Sequence, residues 1–113
     1  AVGKGDIGRH FPDTQEQYRG ISSRILLARV NHILEEEGYQ VVNVDTVIIA
    51  QRPKLSPYIE EMTQNIASTL GVEEKAVNVK ATTTEGLGFP GREEGIAAQA
   101  IAMLSKGFTK LKK

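Results

Sequence analysis

Between Tyr39 and Thr84, two runs rich in β-branched residues bracket one amphipathic helical pattern. No other feature limits the fold of the chain as strongly. YQVVNVDTVIIAQ reads as a strand, with Asn43 and Asp45 alternating with Val42, Val44 and Thr46. After the proline-bounded loop RPKLSP, YIEEMTQNIASTLG reads as a helix. Its Ile59, Met62, Ile66 and Leu70 recur at spacings of three and four, and Gly71 is the stop. AVNVKATTT reads as a second strand, with Val77, Val79 and Ala81 on one face and Asn78, Lys80 and Thr82 on the other. Strand, helix and strand at this spacing fit a right-handed crossover between parallel strands. Two strands make a poor sheet. Further strands are therefore expected from a segment ahead of Ala1 or from partner chains.

The flanks add two helical patterns. ISSRILLARVNHILEEEG can be capped by Ser22 or Ser23 and stopped by Gly38, with Ile25, Leu26, Val30, Ile33 and Leu34 near one face. REEGIAAQAIAMLSKG reads as a third helix, with Ile96, Ala97, Ala100, Ile101 and Leu104 as its core face. Residues 1–20 read as loop, because GKGDIG and FPDT carry turn formers. The tail FTKLKK is basic.

Composition narrows the chemistry. The 113 residues suffice for one domain with a modest core. Fourteen basic and fourteen acidic residues cancel. No bulk field then draws in nucleic acid or an anionic membrane, and an anionic ligand must be caught by local groups. There is no cysteine, which excludes disulfides and thiolate metal sites. No apolar run approaches the ~18 residues of a membrane span, and no secretory leader pattern is visible.

In parallel α/β sheets, ligands gather at the carboxyl ends of strands. Two loops fall there: AQRPKLS and TTTEGLGFPGR. Threonine hydroxyls can donate to phosphate oxygens. Glu85 is a hard oxygen ligand of the kind Mg²⁺ takes beside substrate phosphates. Glycines allow close backbone approach. Arg92, at the start of the expected third helix, would add a forked donor to a positive helix end. Together these groups could hold a diphosphate. A threonine-rich strand end, a glycine loop and a solvated acidic helical turn would read the same way, and no phosphate-loop pattern is present. AQRPKLS, with Pro53 and Lys54, reads equally as a basic surface loop. In DIGRHFPDT, Asp6 could accept from sugar hydroxyls and Asp13 could cap a turn. His10 and His32 lack zinc-ligand spacing. His32 precedes Glu35 and Glu36 at helical spacings that suit a surface ion pair.

DIGRHFPDT, NVDTVIIAQRPKLSP and VNVKATTTEGLGFPGREEGIAAQA together resemble the 2-C-methyl-D-erythritol 2,4-cyclodiphosphate synthase family. The likeness runs with little or no gapping over nearly the whole chain apart from the basic tail. KATTTE-LGF-GREEGIA is close to diagnostic.

The resemblance implies an α/β fold, an α+β sandwich in which βαβ units form a mixed sheet with helices on one face. It implies a single domain over residues 1–113 that lacks the family's N-terminal third. It also implies a lyase of the non-mevalonate isoprenoid pathway, in which phosphate attacks diphosphate intramolecularly, releasing CMP and the cyclic diphosphate. The partners implied are two further copies in a homotrimer, a cytidine diphosphate substrate, and an isoprenoid diphosphate in the trimer channel. The location implied is the bacterial cytoplasm or a plastid.

Residue by residue, Asp6, Ile7 and Gly8 correspond to contacts with the cytidine ribose. Phe11, Pro12, Asp13, Thr14 and Gln15 correspond to the loop over the methylerythritol, with Gln15 where an acidic residue is common. Ala50, Gln51, Arg52, Pro53, Lys54, Leu55 and Ser56 correspond to the cytosine loop, which binds largely through its backbone and Lys54. Thr82, Thr83 and Thr84 correspond to phosphate and cytidine contacts, with Thr83 in the catalytic, transition-state-stabilising place. Glu85 corresponds to the Mg²⁺ or Mn²⁺ ligand, and Phe89 and Arg92 to further ligand-side residues. Gln99 stands where glutamate often faces the channel. The family's Zn²⁺ ligands precede DIG, so the resemblance places them outside this chain. The alternative expectation is a non-catalytic binding module for a nucleotide diphosphate or an isoprenoid phosphate.

Overall fold

The computed structural model describes residues 1–12, 15 and 22–107. The element order is α1 (Ile7–His10), α2 (Ser23–Glu36), β1 (Tyr39–Ile49), α3 (Ile59–Leu70), β2 (Val77–Thr82), α4 (Gly88–Gly91) and β3 (Ala97–Lys106). The three strands form one sheet in the order β2-β1-β3. Strand β1 pairs with β2 in parallel, from Val44 opposite Val77 to Ile49 opposite Thr82. Helix α3 makes the crossover, as the strand–helix–strand pattern implies.

The sheet's third strand comes from the stretch read as a third helix. Residues 97–106 run antiparallel to β1, from Ala97 opposite Ile49 to Lys106 opposite Tyr39. Four alanines at helical spacing gave that segment a helical look. The unpaired edge of β1 overrides local propensity, because a ten-residue ladder satisfies backbone groups that would otherwise lack partners. The expected core face does not exist. Ile96 and Ile101 are 56% and 72% exposed. Residues 1–12 also depart from a plain loop. Asp6 caps the single turn α1, its Oδ1 accepting from the Gly8 N–H at 2.7 Å.

Helices α2 and α3 pack on each other and on the sheet. Ser22 caps α2 by accepting from the Arg24 N–H, and Gly71 closes α3 in the left-handed region at φ 72°. The core is Ala67, Val77 and Val79, with Ile48, Ile59, Met62, Ile66 and Val72 against it. The opposite sheet face carries Asp45, Val47 and Ile49 of β1, which register places beside Asn78, Lys80 and Thr82 of β2 and Ile101, Gln99 and Ala97 of β3. Lys80 Nζ donates to Asp45 Oδ1 at 2.5 Å and Asn78 donates to the same oxygen at 3.0 Å. These bonds, that from Lys80 first, hold the Asp45 carboxyl below its ordinary range. Met103, 59% exposed, extends this uncovered face. No helix among the described residues is long and apolar enough to cross a membrane.

Val79→Ala should lower stability by about 2 kcal/mol, from lost apolar burial and a residual cavity. Urea unfolding of the full-length protein measures it. An unchanged midpoint would show that the cluster around Ala67 is not the core.

Candidate functional site

The carboxyl ends of β1 and β2 and the start of β3 lie at one end of the sheet. There the loop after β1 and the loop after β2 enclose a cleft of about 380 Å³, lined by Ala50, Pro53, Lys54, Ser56, Thr82 and Thr83 among others. Its floor is fixed by the backbone. The Ala50 N–H donates to the Thr82 carbonyl at 3.0 Å, and the Tyr58 N–H to the Leu55 carbonyl at 2.8 Å.

The three threonines are used differently. Thr82 Oγ1 donates to the Thr83 carbonyl at 3.3 Å, and Thr84 Oγ1 donates to the Leu87 carbonyl. Thr83 Oγ1 instead accepts from the Glu85 N–H at 3.1 Å. The Thr83 hydroxyl proton therefore stays available to a ligand at the cleft wall. Glu85 adopts φ 56°, and its carboxylate forms no ion pair among the described residues. The left-handed region costs a non-glycine residue roughly 1–2 kcal/mol. Lys54 likewise lines the cleft without an ion pair among the described residues.

The loop then folds back on itself. A Cβ added to Gly91 would meet the Gly86 carbonyl carbon at 2.1 Å, so the backbones touch where only glycine fits. The Leu87 N–H donates to the Thr84 carbonyl and the Gly91 N–H to the Leu87 carbonyl, both at 3.2 Å. Phe89 lies against Gly95. Arg92 does not open a helix. It follows the four-residue α4 and pairs with Glu94 at 3.0 Å, so a positive helix end contributes nothing to it.

The remaining candidates lie elsewhere. Asp6, Ile7, Gly8, Phe11 and Pro12 belong to the segment that packs on the second half of α2, where Ile7 and Phe11 meet Val30 and Leu34 around a cavity of about 330 Å³. Lys4 anchors that segment to Glu37 at 3.4 Å, and His10 Nε2 is 2.6 Å from the Lys4 carbonyl. Glu37 sits just before β1, at the end of the strand away from the cleft. An eleven-residue strand is about 36 Å long, so one chain does not bring the two groups together. Asp13 and Thr14 lie outside the described residues; the Gln15 N–H donates to the Pro12 carbonyl at 3.1 Å. His32 pairs with Glu36 at 3.2 Å, in the surface role its spacing suggests.

Two contacts were not legible in the sequence. Gln51 Oε1 accepts from the Gly86 N–H at 3.2 Å, and Arg52 Nε meets Glu93 Oε2 at 3.4 Å. Glu93 is left-handed, at φ 64°. No local spacing announces pairs so far apart in sequence.

A mixed three-stranded sheet with helices on one face, and a cleft lined by hydroxyls and a lysine at its strand ends, define an α+β domain. The chain belongs to the YgbB family, whose profile matches residues 1–105. It is 62% identical over 104 residues to a 2-C-methyl-D-erythritol 2,4-cyclodiphosphate synthase of Thioalkalivibrio sulfidiphilus, covering 92% of this chain and 65% of that protein. The chain thus spans a little under two thirds of the curated relative's length. Among solved structures it resembles the bifunctional IspDF of Campylobacter jejuni, with a TM-score of 0.85 and 42% identity over 90% of this chain and 28% of that one. It also resembles IspF from Plasmodium falciparum in its CDP complex, with a TM-score of 0.79 and 31% identity over 96% of this chain and 64% of that one.

Gly91→Ala should force the loop open at Gly86 and lower thermal stability, at a cost of about 1–3 kcal/mol for overpacking. Differential scanning calorimetry reads the change. A wild-type melting temperature would mean that the loop does not make this close approach.

Proposed function

We propose that the chain is the cytidine-nucleotide half of a 2-C-methyl-D-erythritol 2,4-cyclodiphosphate synthase. This is a phosphorus–oxygen lyase that closes its substrate's phosphate onto its diphosphate and releases CMP. The observation that carries the reading is the available Thr83 hydroxyl at the cleft wall, followed two residues on by a left-handed Glu85 whose carboxylate has no ion pair among the described residues. Family membership and the shared names of the relatives support it. The domain is taken as one unit over residues 1–113, completed by residues outside it.

The donor set at the cleft suits one class of metal. A single carboxylate beside hydroxyls fits Mg²⁺ or Mn²⁺, which keep several waters and take substrate phosphates as further ligands. Catalytic zinc takes three protein ligands. Among the described residues no three His, Cys, Asp or Glu side chains converge. A bound Mg²⁺ would supply charge neutralisation on the diphosphate.

The chain's own groups account for the rest. The substrate brings an anionic phosphate as its nucleophile, so the cleft needs no serine, thiol or strong base. The obstacle is repulsion between two phosphates, and positioning plus fixed donors overcomes it. The backbone of residues 50–56 and Lys54 seat the cytosine. Thr82 and Thr84 brace the strand end through their carbonyl bonds. Thr83 donates a hydrogen bond to the charge that develops on the phosphoryl oxygens. Glu85 would hold the divalent cation. Phe89 and Arg92 complete the ligand side. Asp6, Ile7 and Gly8 face the ribose, and residues 11–15 cover the methylerythritol.

The last two assignments require a second subunit. The nucleotide cleft and the Asp6 segment sit at opposite ends of β1, so a cleft of one copy meets the Asp6 segment of a neighbour. A homotrimer with sites between subunits meets that need. It also covers the face bearing Ile101, Met103 and Gln99, where a channel along the axis would seat an isoprenoid diphosphate.

Glu85→Gln in the full-length protein should lower CMP release at least about tenfold below saturating Mg²⁺, the scale set by disturbing a metal ligand's surroundings. Thr83→Ala should cost about 100-fold in turnover while leaving the fold intact. CMP release by Glu85→Gln at the wild-type rate would overturn the metal assignment. Ile101→Asp should convert the trimer to monomers in sedimentation velocity, because a charge cannot be buried unpaired at such an interface. A persisting trimer would place the contact on another face.

A further inference from the structure

Two contacts join the loop after β1 to the loop after β2, and both adjoin Glu85 or its supports. Gln51 accepts the N–H of Gly86, the residue directly after Glu85. Arg52 pairs with Glu93, one residue beyond Arg92. Among the described residues, Glu85 and Glu93 are the non-glycine residues with positive φ. Glycine would take either position without strain. A carboxylate kept in such a conformation points to a use for the carboxylate. The use of Glu93 is visible, since it is given to Arg52. Arg52 is 78% exposed on its side chain, so the ion pair adds little to global stability. Its consequence is geometric. It pins the far end of the loop at Glu93, while Gln51 holds the near end at Gly86, immediately after Glu85.

We propose that Gln51 and the Arg52–Glu93 pair are positioning residues that fix the Glu85 carboxylate relative to a nucleotide seated on the loop after β1. This inference rests on the reading under Proposed function and deepens it. It assigns the coupling between the base-binding loop and the cation-binding carboxylate to two side-chain tethers. Neither tether touches the reacting phosphates. Carboxylate ligands of metals are commonly oriented by such outer partners, and losing one weakens metal affinity.

The test uses the full-length protein. In Gln51→Ala, hydrogen exchange at the Gly86 amide should speed up relative to wild type, because its acceptor is gone. Glu93→Gly relieves the left-handed glutamate, so its melting temperature should hold or rise. Its half-saturating Mg²⁺ for CMP release should nonetheless rise about tenfold. Its affinity for CMP in EDTA, by calorimetry, should match wild type. Arg52→Glu combined with Glu93→Arg should restore the Mg²⁺ requirement. A wild-type Mg²⁺ requirement in Glu93→Gly, or no rescue by the reversed pair, overturns the proposal. So does a parallel fall in melting temperature and CMP affinity, which marks a structural staple. Unchanged Gly86 exchange in Gln51→Ala removes the Gln51 tether. Impaired Glu85→Gln beside a normal Glu93→Gly sinks this proposal alone. Normal CMP release by Glu85→Gln sinks the metal assignment to Glu85 and this proposal with it.

Discussion

Strand β1 is hydrogen-bonded along both edges, parallel to β2 and antiparallel to β3, and the rest of the structure depends on that. Its backbone polar groups need partners on two sides. The crossover helix α3 brings β2 to one edge. The chain must then return for the other, and it does so at the carboxyl end of β2. The connection from Thr82 to Ala97 therefore lies beside the connection from Ile49 to Ile59. The cleft is a product of topology before it is a product of chemistry. Any chain threaded this way places these two loops together.

Within that frame, backbone geometry selects which side chains stay free. Three adjacent threonines look equivalent in sequence. Thr82 and Thr84 spend their protons on carbonyls, and Thr83 does not. The difference follows from Glu85, whose left-handed turn presents its N–H to Thr83. The same turn removes the Glu85 carboxylate from the local ion pairs that occupy Glu93 and Glu94. Gly91 allows that turn by touching Gly86. One tight fold-back thus leaves the Thr83 hydroxyl proton free and sets a left-handed glutamate two residues after it.

The sequence was informative where packing and local pattern agreed. Val77 and Val79 alternate with polar neighbours and are buried against α3, as their period requires. Gly38 and Gly71 end helices where their stops were read. The failure was residues 97–106. Ala97, Ala98, Ala100 and Ala102 satisfy a helical period as easily as an alternating one. Only the open edge of β1, a feature of the assembled sheet, decides between them. Arg92 failed with it, because its expected role depended on that helix. The cleft loops were legible from their place at strand ends, and the resemblance to the cyclodiphosphate synthase family suggested roles for their residues. The tethers Gln51–Gly86 and Arg52–Glu93 were not legible, since each joins residues that only the parallel register brings together.

The corrected strand also changes what the exposed apolar residues mean. On a helix, Ile101 would have been core. On β3 it stands beside Asp45 on a sheet face that no helix among the described residues covers, 72% exposed. Single exposed apolar residues are ordinary, but a row along one sheet face is not. Here the exposed Ile101 and Met103 continue the half-buried Val47 and Ile49, with the Asp45–Lys80 pair embedded among them. Small sheets of this kind are stabilised by a second layer. The same chain separates its candidate ligand groups to the two ends of β1. Further copies packed through the uncovered face would supply the second layer, and a neighbour's Asp6 segment would supply the missing side of the cleft. One assembly answers both needs. In the proposed trimer, burial of the sheet and completion of the site would be a single requirement.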